Sequence, residues 1–273
     1  MSLSIEVLNS DIPNNYTKIN LPDEKLEEYR NNPKALVDFA KSLVAKYEPG
    51  EKQGESYRIM EGLKFYLNVL EEDKALKEIM QDFILHGVYE PETTKVVKEY
   101  VKKGDICLDA GSSIGYFTNL MARQVGEKGK IYAFEPTQNQ CKYLMKNVEA
   151  NGFSNVELYP QALWSKEGVI NINGNAEQRD NVKAITLDSL EITYLDFAKI
   201  DIDGSEPEAL KGMIKTIERS PNLKMAIEFY PEYQKKLGNK PEEMTEILSR
   251  YFNCEKIEGD YTDNYYNLYC VRK

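Results

Sequence analysis

The most constraining feature of the sequence is the stretch 104–117, GDICLDAGSSIGYF. Gly104 and Asp105 form a turn signal, and the apolar run that follows predicts a buried strand. Gly111 and Gly115 come next, and apolar residues then recur at helical spacing as far as Val125. A strand, a glycine turn and a helix in this order predict the first unit of an α/β fold. A residue without Cβ lets a ligand approach the main chain, so the turn is a candidate binding loop.

Strand and helix patterns alternate through the rest of residues 86–273, which favours a parallel sheet covered on both faces. No helix separates the last two strands, so we expect them to pair antiparallel. Two shorter strand patterns, at 168–172 and 183–185, predict a hairpin at the margin of the sheet. The expected fold is therefore α/β and Rossmann-like, with seven mainly parallel strands and an antiparallel C-terminal strand pair. The predicted main strands begin at 106 and continue at 130–134, 156–159, 197–202, 223–228, 254–257 and 266–271.

Residues 1–85 predict a helical N-terminal extension ahead of the α/β domain at 86–273. Asn32 and Pro33 give a helix start, and apolar stripes at helical spacing run through 36–47, 59–70 and 76–84. Such stripes most often pack into a core. The functional alternatives are a lid or substrate wall over the catalytic domain, or a contact in a homodimer.

Composition limits the classes of partner. The net charge is −10, from 35 basic and 45 acidic residues, whereas a nucleic-acid binder usually presents a basic face. No stretch approaches the roughly 20 apolar residues of a membrane span. We therefore expect a cytoplasmic protein with neither nucleic acid nor membrane as its partner. The four cysteines are far apart and there is one histidine, so no zinc site is predicted; Cys107 and Cys270 are expected as core thiols.

Acidic residues stand at the ends of the predicted strands, where ligands bind in open α/β sheets. Asp109, Glu135, Asp201 and Glu228 all occupy such positions. Glu135 lies near the offset of about 20 residues at which an acid binds ribose hydroxyls in nucleotide-binding folds. A carboxylate can accept two hydrogen bonds from a vicinal diol and would repel a phosphate.

The glycine loop reads Asp109-x-Gly111-x-Ser113-x-Gly115, which does not fit the dinucleotide fingerprint G-x-G-x-x-G. It resembles the D/E-x-G-x-G-x-G loop of class I S-adenosylmethionine-dependent methyltransferases, with Ser113 at the middle glycine. S-adenosylmethionine carries a sulfonium and an ammonium and no phosphate. An acidic rim therefore suits it better than it suits a dinucleotide.

Further blocks extend the resemblance across residues 86–230. They are AFEP at 133–136, KIDIDGSE at 199–206, LKG at 210–212 and Ile227-Glu228. Together with the glycine loop they resemble the FkbM family of methyltransferases. That resemblance implies a class I methyltransferase fold, S-adenosylmethionine as cofactor, and transfer of a methyl group to a hydroxyl of a small molecule or sugar.

The resemblance also implies roles for individual residues. Asp109, Gly111, Ser113 and Gly115 would shape the methionine end of the site, and Glu135, followed by Pro136, would hold ribose. Ala162 and Leu163 would flank adenine. Glu90 corresponds to an acidic position just ahead of the first strand that contacts the cofactor. Asp201 would face both the sulfonium and the acceptor.

Two catalytic questions stay open at this level. His86, the lone histidine, is a candidate general base or an ordinary helix-end residue. Asp201, Asp203 and Glu228 could form an oxygen-rich site for a divalent metal, although capping and backbone hydrogen bonds explain such acids equally well. We predict no resident metal.

The sequence therefore predicts a methyltransferase that acts on a small-molecule acceptor. Two alternatives use the same features. One is an NAD-dependent Rossmann oxidoreductase. The other is a catalytically silent methyltransferase-like scaffold that binds a partner through its N-terminal region.

Overall fold

A computed structural model describes residues 3–8, 16–21, 55–60, 62–68 and 88–273 without 174–178 and 258–264, together with positions 25, 28, 32 and 35. The chain forms two compact units, Met1–Pro91 and Glu92–Lys273. His86 and the stripe at 76–84 lie outside the described residues. None of the described helices is long and apolar enough to cross a membrane.

The first unit contains two antiparallel hairpins. Strand β1 (Leu3–Leu8) pairs with β2 (Tyr16–Leu21), and β3 (Glu55–Met60) pairs with β4 (Leu63–Asn68). Between the hairpins, the predicted helix start is confirmed, because the backbone N–H of Ala35 donates to Asn32 Oδ1 at 3.2 Å.

The prediction of a helix over 59–70 is wrong. Met60 pairs with Leu63 across a two-residue connection in which Gly62 has φ 75°, and such short turns with a left-handed glycine are typical of hairpins. Leu63 and Phe65 are buried while Lys64 is exposed, so the stretch alternates with the period of a strand. The N-terminal extension is therefore not purely helical. A role for it as a lid, substrate wall or dimer contact remains a prediction.

The second unit is built on the predicted seven-stranded sheet. The strands are β5 (Ile106–Ala110), β6 (Lys130–Phe134), β7 (Val156–Tyr159), β11 (Phe197–Ile200), β12 (Lys224–Phe229), β13 (Phe252–Lys256) and β14 (Tyr266–Arg272). Their order in the sheet is β13-β14-β12-β11-β5-β6-β7, and only the contacts of β14 with β12 and β13 are antiparallel. The Rossmann-like fold with an antiparallel C-terminal pair is thus confirmed.

Helices connect the parallel strands and bury their apolar faces on the sheet. The main core combines β5, β11 and β12 residues such as Leu108, Ile200 and Ile227 with helical residues such as Leu210 and Leu248. The helices are α1 (Pro91–Tyr100), α2 (Tyr116–Val125), α3 (Gln138–Ala150), α4 (Glu206–Lys211), α5 (Ile214–Arg219), α6 (Pro231–Lys236) and α7 (Pro241–Tyr251).

A small second sheet flanks the first. Strand β9 (Gly168–Asn173) pairs antiparallel with β10 (Arg179–Ile185), which confirms the predicted hairpin, and β10 pairs parallel with β8 (Ala162–Leu163). The sheet packs against the domain where Gly212 meets the backbone of Trp164; a Cβ on Gly212 would lie 1.9 Å from that carbonyl oxygen.

The cysteines divide into two kinds. Cys107 is a buried free thiol, as expected. Cys270 is not a free core thiol: it forms a disulfide with Cys254. The sheet register explains the difference, because Cys254 and Cys270 lie directly opposite each other on β13 and β14.

Candidate active site

The glycine loop lies at the switch point of the sheet, where the order reverses between β5 and β11. It is fixed by backbone contacts on both sides. The N–H groups of Gly111 and Ser112 donate to the Phe134 carbonyl oxygen at 3.0 Å each. On the other side, a Cβ on Gly111 would lie 1.7 Å from the carbonyl oxygen of Asp201. Gly111, Ser113 and Gly115 have φ of 82°, 49° and 88°, so the loop turns through left-handed conformations before α2 begins.

Asp109 lies buried at the carboxyl end of β5. Its Oδ2 accepts a hydrogen bond from Thr118 Oγ1, whereas its Oδ1 is buried without a hydrogen-bond partner among the described residues. Ser113 Oγ is also buried without a hydrogen-bond partner among the described residues. Burial raises the pKa of Asp109 to about 6. Two buried oxygen atoms that lack partners suit a ligand that brings N–H donors, such as the ammonium of S-adenosylmethionine.

Glu135 follows β6 and faces the same loop. Its Oε2 accepts the backbone N–H of Ser113 at 2.9 Å, and its Oε1 accepts that of Thr137, the residue after Pro136, at 2.8 Å. Burial raises the pKa of the carboxyl to about 7. Each carboxylate oxygen can accept two hydrogen bonds. The Thr137 side chain is a third hydrogen-bond donor to this carboxyl. These contacts orient Glu135 and leave it acceptor capacity for a ribose hydroxyl.

The residues predicted to flank adenine lie in the small sheet. Ala162 and Leu163 are buried in β8 and pair with Ala184 and Ile185 of β10. The Tyr159 ring, at the end of β7, stacks on Phe134 with ring centroids 4.8 Å apart. Phe134 and Leu163 belong to the main hydrophobic core and Tyr159 packs against it, so contact of Ala162 and Leu163 with adenine remains a prediction.

Asp201, at the carboxyl end of β11, is held by two neighbouring side chains. Lys199 Nζ lies 2.5 Å from Asp201 Oδ2, and the Lys199 side chain is 3% exposed against 19% for Asp201. Lys199 Nζ also lies 4.5 Å from the centre of the Phe117 ring. Glu228, buried in β12, shares a hydrogen bond with Asp201. Burial, followed by repulsion from Asp201, Glu206 and Asp203, raises the pKa of Glu228 well above its ordinary value, so Glu228 is the proton donor of that bond.

The turn after β11 is braced by Glu206. Its Oε1 accepts the N–H groups of Ile202 and Gly204 at 3.0 and 3.1 Å, and its Oε2 accepts Gln234 Nε2 of α6 at 3.0 Å. Ser205, the residue before α4, makes no side-chain capping hydrogen bond to the helix. Glu206 therefore fixes the turn that positions Asp201 and ties it to α6.

The remaining sequence candidates are Asp203, Glu90 and His86. Asp203 is exposed with φ 51°, and within the described ranges no three His, Cys, Asp or Glu side chains are grouped so as to hold a metal ion. Glu90 belongs to the first unit, where it is buried with φ 40°. Contact of Glu90 or His86 with cofactor or acceptor remains a prediction.

The sequence interpretation missed Lys199 and Gln234. Lys199 stands alone as a charged residue within the apolar run 197–200, two residues before Asp201. Alternate residues of a strand point to the same face, so this pattern already indicates an ion pair. Gln234 gave no comparable signal, because its partner lies 28 residues away in sequence.

Comparison with known proteins agrees with the family resemblance seen in the sequence. The profile of the methyltransferase FkbM domain matches residues 109–255, more than half of the chain. The hexuronic acid methyltransferase AglP of Haloferax volcanii is 26% identical over 191 residues, which are 64% of this chain and 74% of that protein.

A solved structure of low sequence identity supports the fold. Protein PH0793 of Pyrococcus horikoshii is similar with a TM-score of 0.50 at 13% identity, over 91% of this chain and 84% of that one. Methyltransferase FkbM of Methylobacillus flagellatus has a TM-score of 0.45 at 17% identity, over 74% and 56%.

The family match favours a methyltransferase over the NAD-dependent oxidoreductase, which the fold alone leaves as an alternative. The cofactor is S-adenosylmethionine, which fits the unpartnered oxygens of Asp109 and Ser113 and the oriented carboxyl of Glu135. The chain is an S-adenosylmethionine-dependent methyltransferase and belongs to the FkbM methyltransferase family.

Proposed function

We propose that the enzyme methylates a hydroxyl oxygen on a sugar or sugar-like small molecule. The observation that carries the proposal is Asp201, a partly exposed carboxylate at the sheet edge where ligands of this fold bind. The name of the relative AglP, a hexuronic acid methyltransferase, supports a sugar as the acceptor class.

In this proposal different residues bind different parts of the cofactor and the acceptor. Asp109, Ser113 and the backbone of 111–115 hold the methionine end of the cofactor, Glu135 holds ribose, and Ala162 and Leu163 flank adenine. S-adenosylmethionine supplies an electrophilic methyl group. Asp201 then accepts a hydrogen bond from the acceptor hydroxyl and sets its oxygen in line with that methyl group, since alignment of the reacting atoms supplies much of the acceleration.

Lys199 and Glu228 fix the direction in which Asp201 can accept that hydrogen bond. Both donate to it from buried positions, so the side chain cannot turn away without leaving a buried donor unsatisfied. We infer that orientation of the hydroxyl, rather than complete removal of its proton, is the main contribution of Asp201.

Screening sugars, sugar acids and hydroxylated metabolites for S-adenosylhomocysteine release identifies the acceptor. With it in hand, Asp201→Asn tests the role of the carboxylate. We expect single-turnover methyl transfer to fall about 10²-fold, because the acceptor hydroxyl loses its alignment with the methyl group, with a smaller change in S-adenosylmethionine affinity. Glu191→Gln is the matched control, because Glu191 is an exposed carboxylate that precedes the amino end of β11, away from the candidate site. Near-normal transfer by Asp201→Asn would contradict the assignment.

A further inference from the structure

Three tyrosines cluster just beyond the carboxyl end of β12. The rings of Tyr230 and Tyr233 stack with centroids 5.5 Å apart, and Tyr230 and Tyr265 are inclined with centroids 4.8 Å apart. All three side chains are partly exposed. We call Tyr230, Tyr233 and Tyr265 the tyrosine platform. Aromatic side chains that remain accessible beside a catalytic group are typical of ligand sites.

The platform packs against the turn that follows β11 and contains Asp201. Tyr230 is two residues beyond Glu228, which bonds to Asp201. The Tyr233 ring packs over Gly204, where a Cβ would lie 2.9 Å from Tyr233 Cδ1. Asn239 Nδ2 donates to the Gly204 carbonyl oxygen at 2.8 Å, next to the Gln234–Glu206 bond. The platform and the candidate catalytic carboxylate are thus parts of one braced structure.

We propose that the tyrosine platform binds the pyranose ring of the acceptor. One face of a pyranose presents C–H groups, which pack on an aromatic ring, while its hydroxyls stay at the edge and can reach a carboxylate such as Asp201. Lys236 Nζ lies 5.7 Å from the Tyr233 ring centre, so a cation stands beside the platform and favours a sugar acid over a neutral sugar. This inference rests on the proposed function and names its acceptor subsite.

Direct binding of glucuronic acid and glucose to the S-adenosylhomocysteine-loaded full chain tests the proposal without requiring turnover. We expect Tyr230→Ala and Tyr233→Ala each to weaken glucuronic acid binding about ten-fold, the loss of one well-packed aromatic contact. Tyr230→Phe keeps the ring and should bind normally. Tyr194→Ala is the matched control, because Tyr194 is 40% exposed and precedes the amino end of β11, at the opposite edge of the sheet.

The affinity of each variant for S-adenosylhomocysteine checks that its cofactor site is folded. Binding of glucuronic acid that is unchanged in Tyr230→Ala and Tyr233→Ala would overturn the platform and leave sugar methylation standing. If the unsubstituted protein binds S-adenosylhomocysteine but neither binds nor methylates any pyranose, the sugar acceptor of the proposed function is wrong and the platform falls with it. Tighter binding of glucose than of glucuronic acid would overturn the role of Lys236.

Discussion

A Cβ atom on Gly111 would lie 1.7 Å from the Asp201 carbonyl oxygen, whereas one on Gly104 would meet nothing within 4 Å. Both glycines have a left-handed φ, of 82° and 90°. Gly104→Ala should therefore cost only the left-handed strain, about 1–2 kcal/mol. Gly111→Ala adds a collision between two strand ends and should cost at least about 4 kcal/mol. Urea denaturation of the two variants measures the difference, and equal costs would contradict this packing.

This pair of glycines shows what residue patterns can convey. The loop motif in the sequence predicted that Gly111 is needed close to the cofactor. The structure adds that the backbone of Asp201, 90 residues later in the chain, leaves no room for a Cβ atom at position 111. Such a contact depends on the order of β5 and β11 in the sheet, which no local pattern contains.

Glu135 gives a second test at this scale. Its pKa of about 7 means that the carboxyl gains a proton just below neutral pH, and a protonated oxygen is a poorer acceptor for ribose hydroxyls. We expect S-adenosylmethionine affinity to rise from about pH 6 to about pH 8 as Glu135 ionises. Glu135→Gln should bind about 10- to 100-fold more weakly and lose this part of the pH dependence, because a hydrogen bond to a charged group is worth about 1.5–3 kcal/mol.

Titration calorimetry across that pH range measures both quantities. Glu157→Gln is the matched control, since Glu157 is an exposed carboxylate on the neighbouring strand β7. An affinity in Glu135→Gln that equals that of the unsubstituted protein would remove Glu135 from the ribose site.

At the scale of elements, the turn after β11 and helix α6 are joined by one buried hydrogen bond. Gln234→Leu removes the only side-chain donor that Glu206 Oε2 has among the described residues. We expect a loss of about 1–3 kcal/mol in the free energy of unfolding, the cost of an unsatisfied buried acceptor. The loss should be smaller in a Glu206→Gln background, where no charge is left unpaired. Equal losses in both backgrounds, measured by urea denaturation, would show that the bond does not couple the two elements.

The elements themselves were predictable to different degrees. The parallel strands of the main sheet are short, mainly apolar runs bounded by turn residues, and this pattern predicts them correctly. The prediction of a helix over 59–70 is wrong because the apolar residues there satisfy helical spacing as well as strand alternation. The two-residue connection with Gly62 decides between them. Likewise, pairing of Cys254 with Cys270 follows from the β13–β14 register, which the sequence suggests but does not specify.

At the scale of the whole molecule, the candidate site concentrates buried acids. Asp109, Glu135 and Glu206 have pKa values raised to about 6, about 7 and about 7, from 3.8 and 4.5, and that of Glu228 is raised well above 4.5. Burial is the first cause in each case. The fold could be predicted from the alternation of strand and helix patterns, and the cofactor from the resemblance of the glycine loop and the acids at the strand ends. The shared burial of these acids could not be predicted from the sequence, because it arises only when β5, β6, β11 and β12 come together.

These raised pKa values set how stability should depend on pH. Between the ordinary carboxyl pKa and about pH 7, the folded chain binds more protons than the unfolded chain, so the free energy of unfolding falls as pH rises. We expect the melting temperature of the ligand-free protein to be higher near about pH 5 than near about pH 8. S-adenosylmethionine brings positive charge to the ionised acids, so its stabilising shift should be larger at the higher pH. Glu228→Gln should flatten the profile of the ligand-free protein, since it removes the most strongly displaced carboxyl. A melting temperature that rises steadily over this range without ligand would contradict the burial of these acids.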